Sequence, residues 1–399
     1  MIRLLLTFTL IACTPATAAS NPGFQSWLEK SLWPEAKRSG IARATFDMAF
    51  KGITFDPKMP ELKSAAPKRQ TQSEFRAPEG YFNQRSIDRL AKQGAALEKR
   101  WRDTLARIEK RTGVPRRIIL AIWGRESVYG TFKMPKNAIR SLATSAYAGR
   151  RSELFKGELI AALRIIQEGH ISAKAMGSSW AGALGQPQFL PSKFFDYAVD
   201  EDGDGKRDIW NSVPDTLGSI ANYLAKFGWQ RGRDWGFEVT IPASVSCSLG
   251  GPDQGRKIAG WAGMGIERVS GRPFPKIELA NTGYLLFPAG RYGPTFVTTP
   301  NFYVLKQYNE SDLYALFVGH LADRMAGGKA FRGRWQDLPS YTRAEVKRMQ
   351  DVLVAQGYDV GGADGLIGYK SRNAIGKWQN KVGRAATCFP SRETIKAIR

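Results

Sequence analysis

The run from Gly113 to Gly130, GVPRRIILAIWGRESVYG, constrains the fold more than any other stretch of the chain. Pro115 suits the first turn of a helix, where its missing N–H costs nothing. An apolar run follows, and Gly130 is placed to stop the helix. Ile119, Ile122, Trp123 and Glu126 recur at three- and four-residue spacing, so one face carries apolar side chains and then a carboxyl group. A carboxyl held against Ile and Trp loses hydration of its charged form, which raises its pKa and keeps a proton at hand near neutrality. That is what a general acid needs. A helix-end glutamate turned into water beside Arg125 would be written in the same letters.

The chain of 399 residues has room for two or three domains. Its net charge of +23 is far from ordinary and leaves nucleic acid, anionic lipid or an acidic polymer as partners. The first residues narrow that choice. Arg3, the apolar run Leu4 to Ala12 and the small residues Ala16 to Ala19 read as a secretory signal over residues 1–19, too short to span a membrane. Leu10-Ile11-Ala12-Cys13 equally resembles a bacterial lipobox, in which Cys13 is lipidated and anchors the protein to the outer membrane. Either reading exports the chain to the periplasm, which argues against nucleic acid and for an anionic cell-wall polymer. Cys247 and Cys388 remain, and an oxidising compartment permits a bridge, although nothing in their spacing brings them together. No Cys/His grouping suggests zinc. His320, in the helical run Asp312 to Met325, and His170, at the end of another, read as ordinary helix residues.

In order along the chain, Gln25 to Phe50 has helical spacing, and Pro57 to Pro78 is a Lys-, Pro- and Ser-rich surface segment. Helical texture resumes from Tyr81 to Ile108 and from Ile139 to Ile171, with a break at Ala148-Gly149-Arg150-Arg151. After the helical stretch Asp215 to Phe227, short β-like runs are expected at Phe237 to Ile241, Tyr284 to Phe287 and Phe302 to Tyr308, around a helical piece from Gln254 to Met264. Gly327 to Pro339 reads as a linker. Residues 340–399 read as a small, separate three-helix bundle, with Val346, Met349, Val352 and Leu353 on one stripe and Ala374, Ile375 and Trp378 on another.

Two further motifs carry chemistry. Gly177 to Ser192, GSSWAGALGQPQFLPS, is too broken by Gly and Pro for a plain helix. Its small residues let a ligand approach the backbone, and Ser179 and Gln188 offer the neutral hydrogen-bonding groups that sugars need; a structural turn could look the same. DEDGDGKRD, from Asp200, has the spacing of an EF-hand calcium loop: Asp200, Asp202 and Asp204 at positions 1, 3 and 5, Gly205 at 6, the Lys206 carbonyl at 7 and Asp208 at 9. Asn211 replaces the bidentate Glu at position 12, which points to weaker coordination or to completion by another acid such as Asp215; an Asp/Gly-rich solvated turn is written in the same letters.

Taken together, these motifs resemble the B-type lytic murein transglycosylases of glycoside hydrolase family 103, from about Phe24 to Gly327. ANYLAKFGW and PNFYVLKQYNESDLYA extend the match. The tail motif MQDVLVAQGYDVGGADGLIGYKSRNAIGKWQ resembles the peptidoglycan-binding type 1 module. The resemblance implies a mainly α (α+β) fold: a lysozyme-like catalytic core over residues 20–326 with flanking helical and small β parts, then a linker and a wall-binding bundle. It implies one catalytic glutamate, Glu126. Ser179 and Gln188 match cleft residues, as do Tyr81, Tyr223, Tyr308, Asn309 and Tyr314, while Arg150 and Arg151 match a pair beside the cleft. Tyrosines in such positions can equally be core residues with a bonded hydroxyl. Asp200, Asp202, Asp204, Lys206 and Asp215 match a structural Ca2+ loop that the chemistry does not require. Leu154 stands where some relatives have a cleft tyrosine.

The expected activity is cleavage of peptidoglycan between N-acetylmuramic acid and N-acetylglucosamine to give 1,6-anhydromuramyl ends. Peptidoglycan strands are the partner, with cell-wall synthesis or remodelling proteins beside them. An ordinary glycosidase needs two carboxylates, whereas here the motifs supply one conspicuous acid among neutral residues. A muramidase that uses water, a non-catalytic wall-binding scaffold and a calcium-sensing regulator are the competing readings.

Overall fold

The computed structural model describes residues 21–62, 78–336 and 341–399. Both readings of the leader, cleavage near Ala19 and lipidation at Cys13, lie outside these residues, as do most of the Pro57 to Pro78 segment and the end of the linker. Among the described residues no helix is long and apolar enough to cross a membrane. The chain divides into two compact units, and each is described by itself.

The first unit takes residues 21–62, 134–184 and 190–192 of the described chain. Its first helix, Pro22–Trp27, is capped by the Asn21 side chain and continues through a π-helical turn, Leu28–Leu32, into Trp33–Arg38. Phe24, Leu28, Leu32 and Ala36 are buried along it, a stripe at four-residue spacing that turns one face inward. The helices Ala138–Ala148 and Ser152–Gln167 pack against each other. They are separated at Gly149 to Arg151, where the sequence pattern breaks. A two-stranded pairing of Lys136–Asn137 with Gly177–Ser178 completes the unit.

In the second unit the helix Arg116–Ser127 is apolar on nearly every side, with Ile118 to Gly124 all buried. A helix of that kind belongs at the centre of a core. Four helices surround it: Gln84–Arg100, Arg102–Thr112, Val213–Lys226 and Asp312–Met325. The first of them buries Ile87, Leu90, Ala91 and Gly94 at helical spacing. His320, within Asp312–Met325, is 2% exposed, and burial pushes its pKa down to about 4, so it is a neutral core residue as expected.

The β texture resolves into a five-stranded antiparallel sheet, ordered Arg256–Lys257, Thr282–Leu286, Thr295–Thr298, Gly236–Thr240 and Glu267–Arg268. The expected strand at Phe302 to Tyr308 is a helix instead, Pro300–Tyr308. Its aromatic and β-branched letters suggest a strand, but the start signal decides: Thr299 caps the Asn301 N–H and Pro300 occupies the first turn.

The tail forms three helices, Arg343–Ala355, Tyr369–Lys381 and Arg392–Ala397. It is not separate. Its core includes Ala289, and Tyr292 and Trp335 pack on that core. Cys388 is disulfide-bonded to Cys247, 141 residues away, beside the buried face of the sheet.

Candidate active site

Glu126 lies in the last turn of the central helix, whose end is tightly specified. Val128 ends it in the left-handed region at φ 51°, followed by Tyr129 at 58° and Gly130 at 76°. The helix therefore stops two residues before the expected glycine. A β-branched residue in that region stores backbone strain, which persists where the surroundings over-determine it. The surroundings do so here: the Tyr129 hydroxyl donates to the Leu90 carbonyl at 2.8 Å, and the Tyr129 ring lies so close over Gly124 that a Cβ there would come within 2.6 Å of it.

Glu126 is half-buried. Loss of water around its carboxyl raises its pKa above the ordinary range; the Tyr314 hydrogen bond and the Arg125 charge oppose that only in part. The Tyr314 hydroxyl donates to Glu126 Oε1 at 2.5 Å. Tyr314 is 2% exposed, and burial keeps its own pKa far up, so it remains a donor. The ring of Tyr308 lies parallel to that of Tyr314, at 6.3 Å and 8°, and its hydroxyl donates to the Pro187 carbonyl at 2.6 Å. Gln188, next in the chain, is held at φ 57° with its side-chain amide donating to the Gly185 carbonyl. Tyr223 is 7% exposed, its pKa is pushed up to about 12 by burial, and its hydroxyl donates to the Gln307 carbonyl.

The structure thus brings Glu126, Tyr308, Tyr314 and Gln188 together within this unit, with Tyr223 behind Tyr308 at 4.9 Å between rings. Tyr223 and Tyr314 are covered and their hydroxyls bonded, which is the core alternative that such tyrosines left open; Tyr308 and Tyr81 are half-buried. Tyr81 lies under the Arg125 guanidinium, 4.6 Å from ring centroid to Cζ, and accepts its hydrogen bond at 2.9 Å. Asn309 is exposed just beyond Tyr308 and accepts the Ser311 N–H.

Sequence reasoning passed over Gln186. Its Oε1 accepts the Trp123 indole N–H at 2.7 Å while its Nε2 donates to the Trp210 carbonyl. It therefore ties the central helix to the end of the acidic loop. Its place inside GALGQPQF was the available signal.

Ser179, Arg150 and Arg151 belong to the first unit. Ser179 organises a tight turn, its N–H donating to the Ala183 carbonyl and its hydroxyl accepting the Ala183 N–H. Arg151 is engaged on both sides, with two hydrogen bonds to the buried carboxylate of Glu61 and its guanidinium over the Phe155 ring. Arg150 is exposed, and so is Leu154.

In the acidic loop, Asp200, Asp202 and Asp204 are exposed, each with a carboxylate oxygen within 4.8 Å of the others. Gly205, at φ 86° with open space around it, turns the chain where a side chain would be strained. Lys206 donates its N–H to Asp204. Asp215 does something different from what was expected. It is fully buried, Oδ1 accepts the N–H groups of Glu201 and Asp202, and Oδ2 accepts that of Asp208. Its carboxylate is occupied in holding the loop backbone. Three clustered oxygen donors fit a hard cation such as calcium, and Asp215 shapes the loop beneath them.

The profile of the transglycosylase SLT domain matches residues 23–323, and that of a peptidoglycan binding domain matches residues 342–398. Over 241 residues the chain is 32% identical to membrane-bound lytic murein transglycosylase B of Escherichia coli strain K12, covering 58% of this chain. It spans 63% of the length of that curated relative. The crystal structure of SltB3 from Pseudomonas aeruginosa, in complex with NAG-anhNAM-pentapeptide, is 39% identical with a TM-score of 0.85, covering 95% of this chain and 100% of that one. The lytic transglycosylase Slt35 of Escherichia coli in complex with calcium is 26% identical with a TM-score of 0.60, covering 77% and 93%.

Proposed function

The chain belongs to the transglycosylase SLT domain family, and from that premise we propose that it is a lytic transglycosylase of peptidoglycan with Glu126 as its acid and base. One observation carries the reading: a half-buried carboxyl, raised in pKa by loss of water, meets the Tyr314 phenol donor with the Arg125 charge beside it. A hydrolase of the usual kind needs a second carboxylate at about 5–10 Å to serve as base or nucleophile. A transglycosylase does not, because the substrate carries its own nucleophile.

In the first step the Glu126 acid protonates the glycosidic oxygen between N-acetylmuramic acid and N-acetylglucosamine, and the C1–O4 bond breaks. In the second, the Glu126 carboxylate takes the proton of the muramyl C6 hydroxyl as that oxygen bonds to C1, leaving a 1,6-anhydro end. The Tyr314 hydroxyl stabilises the carboxylate between the two steps. Gln188 supplies a neutral hydrogen bond to an N-acetyl group, Tyr81, Tyr308 and Asn309 line the glycan, and Tyr223 supports Tyr308 from behind; in the other unit Ser179 offers a neutral hydroxyl of the same kind. Arg150 contacts the strand beside the cleft while Arg151 stays with Glu61. The tail module holds the wall. SltB3, bound to a muropeptide in its own structure, supports this substrate class.

Export to the periplasm, by the leader or a lipid anchor at Cys13, is supported by the Cys247–Cys388 disulfide, since such bonds persist in oxidising compartments. Cell-wall synthesis or remodelling proteins are the expected neighbours there. Calcium would be held by Asp200, Asp202 and Asp204 with the Lys206 carbonyl, and when bound it neutralises the carboxylates and cross-links the loop. Loading to a hundredfold above Kd stabilises a protein by about 2.7 kcal/mol, so a chelator is expected to lower the melting temperature while activity at low temperature persists. Loss of activity with no change in melting would contradict the structural role.

Digestion of purified sacculi with the mature protein and with Glu126→Gln, read by mass spectrometry, tests the function. Each anhydro end is one water lighter than a reducing end. Anhydro products from the wild type alone are expected. Reducing ends would make the protein a muramidase, and binding without products a scaffold.

A further inference from the structure

The carboxylate of Asp312 joins three elements. Its Oδ1 takes the ammonium of Lys306, on helix Pro300–Tyr308, at 2.7 Å. Its Oδ2 takes the guanidinium of Arg372, on the tail helix Tyr369–Lys381, also at 2.7 Å. Asp312 itself opens helix Asp312–Met325, where Ser311 caps the Tyr314 N–H. Lys306 lies two residues before Tyr308, and Asp312 two residues before Tyr314. The two tyrosines that meet beside Glu126 are thus anchored through one carboxylate, and the wall-binding module supplies one of its two cations.

The arginine is placed by its own module. Arg372 is 6% exposed, and its helix is fixed by the Cys388 disulfide, by Asn373 donating to the Gly250 carbonyl at 2.7 Å and by Tyr369 donating to Asp253 at 2.5 Å. An exposed ion pair would count for little. A guanidinium this deeply desolvated, aimed at the first residue of a helix, holds that helix start in place.

We propose that Arg372 is a positioning residue for the reaction: through Asp312 it fixes the start of helix Asp312–Met325 and thereby the Tyr314 hydroxyl on the Glu126 carboxyl. The wall-binding tail then completes the catalytic constellation as well as holding substrate. This rests on the reading of Glu126 as the acid. The groups that face that carboxyl are Arg125 on its own helix, Tyr308 on Pro300–Tyr308 and Tyr314 on Asp312–Met325. Loosening Tyr314 removes the donor that favours the charged form, so the pH limb of Glu126 moves upward.

The test uses the full-length chain with Arg372→Ala, Arg372→Gln, Arg372→Lys and Glu126→Gln, measuring kcat and KM on a soluble glycan strand across pH, with sacculus binding and melting beside them. For the neutral variants, KM and sacculus binding are expected to stay as in the wild type while kcat falls about tenfold. The alkaline limb moves to higher pH, and Arg372→Lys recovers most of both. If Arg372→Ala does not fold, Arg372→Gln is read in its place. Unchanged kcat and limb, with or without a lower melting temperature, would overturn the proposal, as would a loss confined to KM or binding. Full activity of Glu126→Gln would overturn the acid assignment itself. An inactive Glu126→Gln beside an unaffected Arg372→Ala would sink this inference alone.

Discussion

Glu126 and Asp312 are carboxyls on adjoining elements of one unit, and their surroundings drive them in opposite directions. Desolvation dominates at Glu126 and raises its pKa, against one phenol and one arginine. Asp312 is desolvated too, but Lys306 and Arg372 outweigh that and hold it down at about 2. Burial alone therefore does not make an acid. What separates the proton donor from the structural anchor is whether cations were built around it, and the same short helix start connects the two outcomes.

The largest expected effect removes the donor. Glu126→Gln should lower turnover by about 10²–10⁴-fold, the usual contribution of a positioned acid–base group, and at the same time stabilise the fold at neutral pH. A folded pKa above the ordinary 4.5 means that the folded state holds its proton more tightly. Below pH 4.5 the group therefore costs nothing; as pH rises from there through the folded pKa, stability is lost. Melting curves of wild type and variant should coincide near pH 4 and separate at pH 7, the variant melting higher. Curves that coincide at both would deny the desolvation.

Asp312→Asn is expected to cost about 2–4 kcal/mol at pH 7, because it strands the buried Arg372 guanidinium, as read by urea unfolding. Here the sign reverses. With the folded pKa at about 2 against an ordinary 3.8, the contribution is complete above pH 3.8 and disappears as pH falls toward 2. A variant as destabilised at pH 2 as at pH 7 would show that packing rather than charge holds the seam.

The smallest effect sharpens the contrast. Tyr314→Phe keeps the ring but removes the hydrogen bond to Glu126, worth about 1.5 kcal/mol to a charged acceptor. The alkaline limb of the rate profile should rise by about one pH unit, with little change in melting. A limb that does not move would leave Tyr314 a packing residue.

Much of this was legible in the letters. The central helix, the break at Gly149 to Arg151, the acidic loop with its turn glycine and the stripes of the tail all follow from side chains within a few residues of each other, where chain geometry decides who meets whom. Pro300–Tyr308 misled because strand-like composition competed with a one-residue capping signal. Which distant group bonds which functional carboxyl was not legible. Tyr314 reaches Glu126 across 188 residues, Arg372 reaches Asp312 across 60, and Cys388 reaches Cys247 across 141. A sequence lists which groups can donate, accept or carry charge. Which of them meet is settled only when the core closes and the loss of water makes each buried charge choose its neighbour.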